Sequence, residues 1–204
     1  MKFKAILFDW DLTLANSLKV NLIAYKAVCK EVGIKPTRKE FRRFIGSSVT
    51  NNVRYFQKEY GYKKDLRKTM KGAFMENIDK IKIYDKNITN ELKKKAKIAI
   101  ITGNSEAIIK AVAKKHKMKY DALIGDETTK GKEKVWAIKQ LLKKFKLKKK
   151  DVVYVGDHIN DVKQAHKAGV KAIIIPSKVN RKSYLKKFHP EFILRNLKEV
   201  KRIL

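Results

Sequence analysis

The sequence predicts an α/β protein: a doubly wound parallel sheet into which a block of helices is inserted. Three observations carry that prediction. Short, almost wholly apolar runs alternate with amphipathic helical patterns, as doubly buried strands alternate with crossover helices. One long stretch, residues 17–82, has helical periodicity and no strand pattern. Finally, several apolar runs end in carboxylate- or hydroxyl-bearing residues, and ligands bind at the carboxyl ends of strands in an open α/β sheet.

The first run, Lys2 to Phe8, holds Phe3, Ala5, Ile6, Leu7 and Phe8 and ends at Asp9-Trp10-Asp11-Leu12-Thr13. Leu18, Leu22, Tyr25, Cys29 and Val32 then recur at spacings of 4, 3, 4 and 3, which places them on one helical face. Asn16 or Ser17 can cap that helix, and Gly33 with Pro36 stops it. Cys29, on the apolar face, reads as a packed thiol rather than a nucleophile. Residues 41–45, 49–60 and 66–81 continue as helices, separated by Gly46-Ser47-Ser48 and Gly61. Together they suit a small accessory bundle.

The α/β alternation resumes with a helix over 88–95 and a strand, Lys97 to Ile101, ending at Thr102-Gly103-Asn104. A helix opened by Ser105 buries Ile108, Ile109 and Val112, and a strand at Ala122 to Ile124 ends at Gly125-Asp126. The next helix carries a stripe of Val135, Ile138, Leu141, Leu142 and Phe145. The strand Val152 to Val155 runs into Gly156-Asp157-His158-Ile159-Asn160-Asp161, and the following helix is closed by Gly169. A strand at 172–175, an edge strand at 192–194 and a short terminal helix complete the chain.

Composition narrows the function class. Of 204 residues, 44% are hydrophobic and 35% charged, which describes a globular protein with a heavily charged surface. No run approaches the length of a membrane span. An apolar strand at the amino terminus leaves no room for a cleavable leader, so a cytoplasmic protein is expected. A single cysteine excludes an intrachain disulfide and a cysteine-built metal site. The net charge is +31, and 43 of the 51 basic residues are lysine, spread over most helices. Two readings stay open: attraction to a polyanion such as RNA or DNA, or a lysine bias of the proteome that keeps helix faces solvated. Monomer and dimer are both compatible with the sequence.

A parallel sheet would gather the strand ends Asp9/Asp11, Thr102-Gly103-Asn104 and Asp157…Asp161 on one edge. Four carboxylates meeting there repel unless a cation joins them. Oxygen ligands without clustered His or Cys select a hard ion, Mg²⁺. The Thr102 hydroxyl, the Gly103 amide and the start of the next helix make an anion site, to which a lysine near residue 130 could add charge. Metal, anion cradle and free carboxylate are the parts of phosphoryl transfer through an aspartyl-phosphate.

The sequence resembles the haloacid dehalogenase superfamily, in its phosphoglycolate-phosphatase-like branch with a helical cap. Asp9-Trp10-Asp11-Leu12-Thr13 is similar to its first motif, DxDxT, Thr102 to the second, and Gly156-Asp157-His158-Ile159-Asn160-Asp161 to the fourth, GDxxxD. Lys134 has the spacing of the third-motif lysine, with Lys132 as the reserve. Leu12 stands where many relatives have glycine, and no proline follows Lys134. The resemblance implies a Rossmann-like core of residues 1–16 and 83–204, a helical cap of residues 17–82, and a small phosphomonoester as substrate. It further implies Asp9 as nucleophile, Asp11 as general acid and base, and Thr102, Gly103, Asn104 and Lys134 around the phosphoryl group. Mg²⁺ would lie among Asp9, Asp11, Asp157 and Asp161, and Arg42, Arg43, Gly46 and Ser47 would form the cap loop facing substrate. His158 reads as a bystander, and His116, His166 and His189 as surface or packing residues. A sugar-phosphate mutase, a nucleotide phosphatase and a nucleic-acid-binding protein on an inactive fold of this kind are the alternatives.

Overall fold

In a computed structural model, which describes residues 3–177 and 179–203, a six-stranded parallel sheet has the order β5-β4-β1-β6-β7-β8. Its strands are β1 (Ala5–Asp9), β4 (Lys97–Ile101), β5 (Ala122–Ile124), β6 (Val152–Gly156), β7 (Lys171–Ile174) and β8 (Phe192–Ile193). Lys2, at the head of the first apolar run, lies outside the described residues. β1 is central, pairing Ala5 with Lys97 of β4 and with Val152 of β6, and all five of its residues are buried. Because the chain winds outward from β1 in both directions, the crevice where its direction reverses lies between β1 and β6. That is the usual binding position in such sheets.

Strand side chains alternate between two faces. Ile6 and Phe8, with Ile98, Ile100, Val153, Val155 and Ile173, belong to one apolar cluster. Ala5 and Leu7, with Ala99, Ile101, Tyr154 and Ile174, belong to a second. α8 (Lys134–Phe145) and α9 (Ile159–Ala168) cover the second cluster with Val135, Ile138 and Leu141 and with Val162 and Ala165. The periodicity of those helices is therefore the signature of this packing. α5 (Ile88–Leu92) and α6 (Glu106–Lys115) lie on the first cluster, and α7 (Asp126–Thr129) and α10 (Lys182–Lys186) are short additions that the sequence pattern does not show.

Four helices make up the block inserted after β1: α1 (Leu18–Val32), α2 (Arg38–Ile45), α3 (Val49–Tyr60) and α4 (Arg67–Glu76). Gly33 ends α1 in a left-handed conformation at φ +82°, its amide returned to Cys29 and Lys30. α2 starts three residues ahead of the expected Phe41, because Thr37 caps it by accepting the Glu40 amide at 3.2 Å. Ser48 caps α3 through the Asn51 amide at 3.2 Å. Phe44, Val53, Phe56, Met70 and Phe74 are buried, and Tyr25 of α1 packs its ring 5.6 Å from Phe41 and 5.5 Å from Phe44. Each such fully buried side chain contributes about 1.5–3 kcal/mol. Cys29 is buried among them, and burial pushes its thiol up, away from the thiolate a nucleophile needs.

The expected absence of strands over 17–82 requires one correction. β2 (Ala15–Asn16) and β3 (Lys82–Ile83) pair antiparallel, Ala15 with Ile83 and Asn16 with Lys82. This ribbon ties the two ends of the helical block together; at two residues per strand it is too short for an alternating pattern to register. Among the described residues no helix is long and apolar enough to cross a membrane.

Candidate active site

Three strand ends meet at the crevice beside β1. Asp9 ends β1, and Asp157 and Asp161 follow β6; they are 7%, 3% and 1% exposed, and one oxygen from each lies within 4.8 Å of the others. Lys134, the first residue of α8, reaches across the edge. Its Nζ donates to Asp9 Oδ1 and to Asp161 Oδ1, both at 2.7 Å, and lies 5.6 Å from the centroid of the Tyr154 ring. The other Asp161 oxygen accepts the amides of Asp157 at 3.1 Å and His158 at 3.0 Å, so one carboxylate both faces the site and folds the loop after β6. That loop needs Gly156, because a Cβ there would lie 2.3 Å from Asp161 Oδ2. Asn180 donates to Asp157 Oδ2 at 2.9 Å.

The charges are unbalanced. Burial, opposed by Lys134 and reinforced by Asp161, Asp157 and Asp11, holds the Asp9 carboxyl well above the ordinary range. Burial, and then Asp161, pushes Asp157 up to about 7, with Asn180 and Lys134 acting the other way. Burial pulls the Lys134 ammonium down, but Asp161 and Asp9 more than reverse this and keep it charged. Three buried carboxylates around one ammonium thus lack positive charge. An all-oxygen donor set within a few ångströms, short of charge, suits a small hard dication such as Mg²⁺.

Asp11 sits at the mouth of the crevice. It accepts hydrogen bonds from Ser17 Oγ and, at 3.2 Å, from Asn21 Nδ2. Ser17 precedes α1 as its cap residue, yet its hydroxyl makes no cap bond and is spent on Asp11. Leu12 occupies the left-handed region at φ +61°, with its amide bonded to Ala15 O at 2.7 Å. This turn of the chain is what glycine would adopt without strain, and Leu holds it at a cost of about 1 kcal/mol. At the end of β4, Thr102 Oγ1 accepts the Asn104 amide at 3.0 Å, and Thr102 and Asn104 are both buried.

A cleft of about 720 Å³ opens over these groups, lined by Asp9, Asp11, Thr102, Gly103, Asn104 and Lys134 on the sheet side. Arg42, Gly46 and Ser47 line it from the helical block. Arg43 does not; its guanidinium stacks 3.3 Å over the Tyr55 ring and its Nε donates to Glu40 at 3.3 Å. Lys132 is exposed, 4.7 Å above the Trp136 ring, while Lys134 touches the carboxylates. His158 caps α9, its Nδ1 accepting the Asn160 amide at 3.1 Å, and burial holds its imidazole below the usual value. His116, His166 and His189 are not among the residues lining this cleft. Ser17, which the sequence offers only as a helix cap, belongs to the site, as do Asn21 and Asn180, which did not stand out in the sequence. Ser17 and Asn21 fall four residues apart at the start of a helix, polar positions on an otherwise apolar face, and that was the available signal. Asn180 carried none.

Residues 6–175 match the family model described as haloacid dehalogenase-like hydrolase. No curated protein sequence matches the chain. Among solved structures, a predicted phosphatase from Clostridium acetobutylicum superposes with a TM-score of 0.83 at 20% identity, covering 99% of this chain and 98% of that one. A predicted phosphoglycolate phosphatase from Haemophilus somnus gives 0.78 at 22% identity over 100% and 98%. CbbY from Rhodobacter sphaeroides, in complex with phosphate, gives 0.79 at 18% identity over 97% and 96%. At such identities the superpositions establish the fold.

Proposed function

The chain belongs to the haloacid dehalogenase-like hydrolase family, and on that premise we propose that it is a Mg²⁺-dependent phosphomonoesterase acting on a small, phosphoglycolate-like substrate through an aspartyl-phosphate. One observation carries the proposal: Asp9, Asp157 and Asp161 are buried together under Lys134 while a second carboxylate, Asp11, faces the same cleft. Residues 17–82 are the cap over that cleft, whose volume of about 720 Å³ suits a metabolite and not a polymer.

Mg²⁺ would be held by the Asp9 carboxylate, the Asp11 main-chain carbonyl and Asp157, with Asp161 in support. When bound it would supply charge neutralisation to the carboxylates and to the phosphoryl oxygens. The Asp9 oxygen forms a bond to phosphorus as the bond from phosphorus to the leaving oxygen breaks, and a protonated Asp11 gives that oxygen its proton. Ser17 and Asn21 hold Asp11 in place for this transfer. Water then adds to phosphorus, its proton returns to Asp11, and the bond to Asp9 breaks, releasing phosphate. Thr102, the Gly103 amide, Asn104 and Lys134 bind phosphoryl oxygens and stabilise the charge that develops on them. The second carboxylate at Asp11 favours phosphate-ester hydrolysis, since it supplies the acid that an alcohol leaving group requires.

A panel of small phosphomonoesters assayed with and without Mg²⁺ tests this reading. Hydrolysis of at least one ester that stops on chelation and is lost in Asp9→Asn is the expected result. Rates indifferent to Mg²⁺, or equal in the variant, would overturn it.

A further inference from the structure

We infer that Asp126 is a positioning residue whose buried carboxylate draws the amino terminus of α3 onto the phosphate-binding edge of the sheet and so sets the cleft wall that meets the leaving group. The inference rests on the phosphomonoesterase reading above and deepens it. Asp126 follows β5 and Gly125, a further carboxyl strand end beside the three that build the site. It is 5% exposed and points into the helical block rather than into the crevice. The Thr50 amide donates to both its oxygens, at 3.0 and 3.1 Å, and Thr50 Oγ1 donates to Oδ2 at 2.6 Å. Thr50 is the second residue of a twelve-residue helix, so the carboxylate sits on the positive end of the helix and satisfies an amide, that of Thr50, which the helix cannot.

The contact is one part of a tight seat. The Val49 amide donates to Gly103 O at 2.9 Å, and Asn51 Nδ2 donates to Gly131 O at 3.2 Å. A Cβ on Gly103 would lie 2.9 Å from Ser48 Cα, and one on Gly131 would lie 2.7 Å from Asn51 Oδ1. Two glycines thus let α3 approach the backbone on either side of Asp126. The Asp126 amide in turn donates to Asn104 O at 3.0 Å, which joins the residue gripping α3 directly to the phosphate-binding loop. Gly46, Ser47, Ser48, Val49, Asn51 and Asn52, at and before this helix start, line the cleft. Of the reacting carboxylates, Asp9 ends β1 and Asp11 follows it, so the Asp126 contact shapes where the leaving group rests and leaves the chemistry at Asp9 in place.

Thr50→Val keeps the shape of the side chain and deletes the hydroxyl, Asp126→Asn keeps the shape and deletes the charge, and Thr50→Ser restores the hydroxyl. With para-nitrophenyl phosphate as probe, the first two variants are expected to raise KM about tenfold with kcat within about twofold, as loss of a charge-assisted bond at a helix start does. The inhibition constant of inorganic phosphate, which has no leaving group, stays within about threefold on the same reasoning. Amide hydrogen exchange speeds up at residues 49–52 and is unchanged in β1 and β6, and Thr50→Ser behaves as the unmodified protein. An unchanged KM in a folded variant, unchanged exchange at 49–52, or exchange that rises equally in β1 and β6 would overturn the inference. The exchange readings do not need turnover. An unmodified chain that hydrolyses nothing, yet loses protection at 49–52 in Thr50→Val, would sink the phosphomonoesterase reading and leave Asp126 as a purely structural contact.

Discussion

Replacing Lys134 by Met, which keeps an unbranched apolar stem and removes the ammonium, tests the electrostatic account of the site in the absence of metal. Breaking a buried ion pair by deleting one partner costs about 3–5 kcal/mol. A quarter of the Lys134 side chain is exposed, so the lower end of that range applies, about 3 kcal/mol at pH 8. The dependence on pH follows from Asp157, pushed up to about 7 in the fold from an ordinary 3.8, and from Asp9, which is raised in the same direction. A carboxyl raised by folding contributes stability that is complete below its ordinary value and is lost as pH rises through its folded value. These two carboxyls therefore withdraw stability from the metal-free protein between about pH 4 and pH 7. Without the ammonium both carboxyls move higher still, and the cost of Lys134→Met grows as they ionise. Urea unfolding in EDTA is expected to separate the two proteins by about 1 kcal/mol at pH 5 and about 3 kcal/mol at pH 8, the latter some 6–12 °C in melting temperature for a chain of this length. Mg²⁺ narrows the separation at pH 8. A separation that is the same at both pH values, or larger at pH 5, would refute the reasoning.

Asp11→Asn removes the proton donor, and kcat for an ester with an alkyl leaving group is expected to fall about 10²–10⁴-fold while the melting temperature stays within about 2 °C; a smaller loss for a nitrophenyl leaving group, which departs without a proton, distinguishes acid catalysis from misfolding. Ser17→Ala removes the hydroxyl that donates to Asp11 and is expected to lower kcat about tenfold with KM little changed, to be checked by steady-state kinetics. Gly156→Ala places a Cβ 2.3 Å from Asp161 Oδ2, and an overpacking cost of about 1–3 kcal/mol should appear in thermal melts together with weaker Mg²⁺ binding by calorimetry.

Much of this architecture was legible in the residues because local pattern and burial agree. β1, β4, β5 and β6 are short apolar runs; β4, β5 and β6 fall within a residue of their expected bounds, while β1 starts at Ala5, three residues after the apolar run begins at Lys2. α8 and α9 show the periodicity of helices lying on a sheet. Elements too short to have a period did not register: the two-residue strands β2 and β3, the single turn of α7, and α10. Site residues were legible where the chain itself places them, at strand ends, and illegible where a long-range partner decides. Ser17 looks like a helix cap until Asp11 claims its hydroxyl. Arg43 looks like its neighbour Arg42 until Tyr55, twelve residues on, offers an aromatic face. Asp126 ends a strand as Asp9 does, but Thr50 turns it away from the crevice. In each case a polar side chain has several chemically adequate partners, and only the packed fold brings one of them near.

The most direct test of the central claim is to quench the protein with acid during turnover of a hydrolysed phosphomonoester and map its peptides by mass spectrometry. One added phosphoryl group is expected, on Asp9, present with Mg²⁺ and absent in Asp9→Asn, which is itself inactive. Mg²⁺-dependent hydrolysis persisting in pure Asp9→Asn, or a phosphoryl group found on another residue, would contradict it.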